Sequence, residues 1–106
     1  MDDLTSLADE HLTRARSDPH GRSAQLFLHD GPLRQSVIAL TAGAALDEHG
    51  APPAASLLVL RGRALLTTED REQELSAGHI QRVPQLRHGL LAVDDTVVLL
   101  TTVTGG

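Results

Sequence analysis

Near neutral pH, histidine and carboxylate are the only side chains here that are suited to moving a proton or gripping a metal. The chain has six histidines and fourteen Asp or Glu, but no cysteine, tyrosine or tryptophan. Two histidines stand apart by their surroundings. His49 lies in "LDEHGAPPAASLLVLRGRALLTT" (46–68), just ahead of a tight apolar burst, and His88 immediately precedes the apolar run "GLLAV" (89–93). Two neutral imidazoles can serve as a general acid and base, or as ligands of a divalent ion. Glu48 adjoins His49, and on a strand it would point to the opposite face. Asp47, two residues back, would share the face of His49 if the strand reaches that far.

Other chemistries find no support. Asp70, Asp94 and Asp95 lack the alternating ligand spacing of a calcium loop. No serine sits in a nucleophile-elbow context, and "GAALDEHG" (43–50) is neither a dinucleotide nor a phosphate-loop fingerprint. His11 falls on a helix, where solvation or local hydrogen bonding is expected. His20 and His29 lie in or near turns, and His79 beside a turn glycine reads as structural. All nine basic residues are arginines, scattered through a chain of net charge −5. There is no basic stripe for a phosphate backbone, and Phe27, the single aromatic, leaves no platform for stacking bases.

The positioning elements follow from hydrophobic period. Leu4, Leu7, Ala8, Leu12 and Ala15 share one face, which predicts a helix over 2–17. "SDPHGRS" (17–23) breaks it. From Ala24 the period changes to two, or to short solid apolar runs. Strands are expected at 24–29, 33–41, 56–62, 63–68, 71–76, 79–84, 89–93 and 96–103. The stretch 42–54 reads as a loop with a short extended piece. The last run, apolar or threonine throughout, should be buried on both faces. Short strands with a turn signal every eight or so residues indicate a sandwich or barrel. At 106 residues this is one domain, with residues 1–23 as helix and linker and 24–106 as the barrel. Absent cysteine excludes a disulfide framework. No apolar run is long enough to span a bilayer, and the acidic "MDDLTSLADEH" (1–11) is no secretory signal. A soluble cytoplasmic domain is expected, with no membrane or nucleic-acid partner.

Two glycine-anchored blocks carry a resemblance. The first runs from Gly43 through His49 to Gly62; the second runs from Gly78 through Pro84 to His88. Their order and spacing, over about Leu33 to Val103, resemble the small single-domain members of the cupin superfamily. In the family's first motif a second histidine and a glutamate follow the first histidine, and here these positions are Ala51 and Ala55. In the second motif the interval from Pro84 to His88 is one residue short, and the asparagine position is Ala92. The resemblance implies an all-β double-stranded β-helix, the jelly-roll barrel, with an N-terminal α-helix added here. It implies that His49 and His88 face one cavity in the barrel mouth. It also implies a homodimer formed through an edge strand, with "AQLFLH" (24–29) as the edge.

Two function classes follow for His49 and His88. In the first the chain is a small-molecule-binding or sensing module, with both histidines lining a ligand pocket. It then has no resident cofactor, or at most a weakly bound divalent metal. In the second it is a metal-dependent enzyme of isomerase or dioxygenase type, with a site reduced to two histidines. A purely structural dimerisation unit is a third class. Candidate polar anchors in an otherwise aliphatic pocket are Gln81, Arg82 and Arg87.

Overall fold

In the computed structural model, residues 1–49, 54–83 and 87–104 are described; for 47–49 this means the backbone alone. One helix, α1 (Leu4–Ser17), precedes nine strands: β1 (Arg22–Asp30), β2 (Leu33–Leu40), β3 (Ala45–His49), β4 (Ala54–Arg61), β5 (Arg63–Thr68), β6 (Glu72–Ser76), β7 (Ile80–Arg82), β8 (His88–Ala92) and β9 (Thr96–Val103). The strands form two antiparallel sheets. The five-stranded sheet has the order β1-β2-β9-β4-β7, and the four-stranded sheet the order β3-β8-β5-β6. Together they make a jelly-roll barrel with a helix on its outside.

Alternation along the strands divides the apolar residues between two cores. Ile38, Leu40, Leu57, Val59 and Val98 point inward and meet Ala64, Leu66, Leu75, Leu90 and Ala92 of the facing sheet. Val37, Ala39 and Val97 point outward and are covered by Ala8, Leu12 and Ala15 of α1. Thr96, Val97 and Val98 are therefore buried on both faces, as expected for this run. Beyond the reach of the helix β9 becomes half-buried, and it ends with Val103 exposed.

Helix α1 begins where Asp3 caps it, its carboxylate accepting from the backbone N–H of Thr5 (2.9 Å) and Ser6 (3.3 Å). After Ser17, Asp18 turns the chain by accepting from the N–H groups of His20 and Arg22. These bonds, the Arg22 one foremost, hold its carboxyl below the usual carboxylate range. Of solvation and local hydrogen bonding, the two expectations for His11, the structure shows a buried, hydrogen-bonded ring whose partners lie 12 and 14 residues on. It is 1% exposed, with Nδ1 2.7 Å from Ser23 Oγ and Nε2 2.9 Å from Gln25 Oε1. The ring thus ties the helix to β1, and the signal was present in the sequence, since His11 lies three residues after Ala8 and four before Ala15 on the buried face.

The short extended piece read within 42–54 is β3, which pairs with β8. Leu58 is half-buried and opposes Leu99 on the outward side of the sheet, while Leu57 and Val59 take the inward places. Among the described residues no helix is long and apolar enough to cross a membrane.

Candidate functional site

One end of the barrel is closed by packing and ionic contacts. There Thr96 Oγ1 lies 2.8 Å from the Arg63 carbonyl and 2.7 Å from that of Asp94. Gly62 turns β4 into β5 with φ +81, and a β-carbon at that position would collide with the Asp95 carbonyl oxygen. The first block's closing glycine is thus required by both conformation and space. Arg63 holds Asp94 (Nε to Oδ2, 2.7 Å), and this bond is the main reason the Asp94 carboxyl lies below its usual range. Asp95 is lowered chiefly by the Ala42 N–H at 2.9 Å and next by Arg16 of α1. These carboxylates hold turns together.

His88 begins β8 at the opposite end. It is 6% exposed and points inward with Leu90, two residues on. It helps enclose a cavity of about 30 Å³, whose other walls include Leu57, Leu66, Val83 and Leu100. On one side its backbone partner is Thr68 of β5; on the other it is His49 of β3. A bulge between Leu46 and His49 sets that pairing. Leu46 opposes Leu90, so an unbroken ladder would have set Glu48 against His88; the extra residue in β3 brings His49 there instead.

The remaining candidates divide as follows. Ala55 opposes Thr102 and packs against the inner core, so a methyl group stands at the position of the glutamate in the first motif. Ala51 and Pro84 lie outside the described residues, as does the His49 side chain. Gln81 opposes Leu57, and its Oε1 accepts from Gln73 Nε2 at 3.1 Å. Arg82 and Arg87 are exposed; Arg82 opposes Ser56 on the outward side and is no anchor inside the barrel. His79 is structural as expected, its Nδ1 accepting the Ser76 N–H at 3.0 Å. Among the described residues, no three His, Cys, Asp or Glu side chains are grouped to hold a metal.

The barrel has counterparts among solved structures. A cupin superfamily protein from Desulfitobacterium hafniense superposes with a TM-score of 0.74 at 18% identity, over 79% of this chain and 78% of its own. A cupin-2 domain containing protein from Shewanella frigidimarina gives 0.76 at 12% identity, over 97% and 94%. This chain has the cupin fold. A longer cupin-fold chain, the salicylate 1,2-dioxygenase of Pseudaminobacter salicylatoxidans, gives 0.79 at 16% identity; the match covers 92% of this chain but 33% of that one. At such identities the likeness is one of backbone. No protein-family model matches this cupin-fold sequence, and no curated protein matches it either.

Proposed function

We propose that this cupin-fold chain is a binding or sensing module for a small, mostly apolar molecule, taken up at the His88 end of the barrel. The observation that carries the reading is the character of the inner face there. His88 is set among Leu57, Leu66, Val83 and Leu100, and Ala55 offers no donor. A cavity of about 30 Å³ admits little more than a water or a methyl group. The ligand therefore places only an apolar end beside His88 and keeps its head at the mouth. One polar group in an aliphatic wall orients such a molecule without supplying a reaction centre. Titration of ¹⁵N-labelled protein with small aliphatic compounds tests this. Shifts should concentrate on the amides of Leu57, Leu66, His88 and Leu100, and shifts confined to the outer faces would refute it.

The register of His49 against His88 favours a second reading, a divalent ion held weakly between them. Directly opposed positions of an antiparallel pair share a face of the sheet, and neutral imidazoles suit zinc, nickel or iron. Calorimetry separates the two readings. Tight, stoichiometric uptake abolished by His49→Ala or His88→Ala would replace the binding module with a metal-dependent enzyme; weak uptake that fades as pH falls through about 6.5 leaves the module in place.

As for a partner, a second copy of the chain is proposed at the free edge of β1. That strand has one unpaired side and carries Leu26 at 49% exposure. Light scattering should give the dimer mass at high micromolar concentration, and a monomer mass there would count against it.

A further inference from the structure

Among the described residues, one arginine faces the inside of the barrel. Arg34 lies on β2 two residues before Ser36 and four before Ile38, and alternation gives it their inward side. Thr102 of β9 opposes it, and Thr102 has Ala55 as its other neighbour. The row Arg34–Thr102–Ala55 follows the row Ser36–Leu100–Leu57, two members of which wall the cavity beside His88. Successive inward rows are about 6.6–6.8 Å apart along a strand, so Arg34 sits one step nearer the mouth than that cavity.

Its guanidinium is not provided for by the protein. Arg34 is half-buried, and its Nε is buried with no hydrogen-bond partner. The ion pairs among the described residues involve Arg14, Arg16, Arg61 and Arg63, and Arg34 is in none of them. Leaving a buried donor unsatisfied is costly, more so when it is charged, and native proteins keep few such groups. A residue retained at that cost, on the face that lines the pocket, has a use other than stability.

We propose that Arg34 reads a carboxylate on the ligand, so that the molecule bound at the His88 end is a small monocarboxylate with a short apolar tail. This rests on the binding-module reading and names its ligand class. The planar guanidinium presents paired N–H donors that match the two oxygens of a carboxylate. The half-buried hydroxyls of Ser36 and Thr102 stand in the same two rows and can donate to the same group. The tail lies along Leu57 and Leu100 toward His88. One unpaired arginine in a chain of net charge −5 suits a single negative charge better than a phosphate dianion.

The test uses the full chain and three probes, namely butyrate, its uncharged counterpart butyramide, and inorganic phosphate. Butyrate should shift the Arg34 Nε–H cross-peak together with the Ser36, Leu57 and Thr102 amides. Butyramide should bind at least about tenfold more weakly. Arg34→Met, which keeps the stem, should abolish the butyrate response, and Arg34→Lys should weaken it through loss of the paired donors. Arg34→Met should also melt no lower than the parent; a clear drop in its melting temperature would make Arg34 a stabilising residue and overturn the proposal. Unchanged butyrate binding in Arg34→Met overturns it as well. Equal binding of butyramide at the interior amides overturns the carboxylate and leaves the binding module intact. Phosphate binding as tightly as butyrate overturns the monocarboxylate assignment. If no probe moves an interior resonance, the carboxylate and the module reading fall together.

Discussion

Replacing His11 with alanine should remove about 2–4 kcal/mol of stability, although the residue is remote from the pocket. The ring is 1% exposed and makes two hydrogen bonds, at 2.7 Å to Ser23 Oγ and 2.9 Å to Gln25 Oε1. Each such bond contributes about 0.5–1.5 kcal/mol net, so the pair accounts for about 1–3. Gln25 is exposed and Ser23 half-buried, so both can turn to water and neither adds a large penalty for a stranded group. The remainder is the hole the ring leaves between α1 and the sheet. His11→Phe separates the two contributions: it fills most of the hole, loses both bonds, and should cost about 1–3 kcal/mol. Urea unfolding is the assay, and a shift in midpoint at constant slope would identify a change in stability alone. A double-mutant cycle with Gln25→Ala should show a coupling of at least about 0.5 kcal/mol. A loss below about 1 kcal/mol for His11→Ala, or a phenylalanine variant as stable as the parent, would refute this account of the ring.

Three further outcomes are expected. Val98→Ala, at a fully buried position, should cost about 2–3 kcal/mol, whereas Leu58→Ala on the half-buried outward side should cost less; the reverse order in urea would mean the register of β4 is wrong. Gly62→Ala should cost more than about 2 kcal/mol, because φ is +81 and the new methyl meets the Asp95 carbonyl; a neutral result would exclude the tight β4–β5 turn. The Asp95 pKa is lowered by folding, so its contribution is present above the usual carboxylate value and is lost as pH falls through the folded value. Asp95→Asn should therefore flatten the fall in stability between about pH 5 and 2, without abolishing it, since Asp18 and Asp94 are lowered too; an unchanged acid limb would dismiss the Ala42 and Arg16 contacts as contributors.

The barrel was legible in the sequence because its punctuation is local. Gly43, Gly62 and Gly78 all adopt positive φ at turns, and such positions select glycine regardless of what surrounds them. Facing directions were less legible. "SLLVLRG" (56–62) is apolar at four successive positions, since both sides of β4 are at least partly covered, so nothing in the string separates Leu57 from Leu58. Arg34 was overlooked for the same reason; its inward place depends on a register that only the pairing with β9 reveals. β3 was legible only as a short extended piece within a loop, because "LDEH" (46–49) carries two acids and because a bulge interrupts its alternation. That same bulge makes the backbone opposition of His49 and His88 a matter of tertiary pairing, which strand periodicity could not convey.

The position of β9 has a bearing on how the molecule is made. It follows the other eight described strands in the chain, yet it lies at the centre of the larger sheet, between β2 and β4. Until Thr96–Val103 leaves the ribosome, β2 and β4 have no common neighbour and the hairpin β1–β2 has no sheet to join. The β5–β6 hairpin can form during translation, but the face that holds Arg34 and Leu57 is assembled in a single late step. Such long-range closure is slow compared with hairpin formation. The nascent chain therefore waits with Ile38, Leu57 and Val59, the inward neighbours of β9, without that strand, and that interval, more than the finished barrel, is when chaperones or aggregation compete for it.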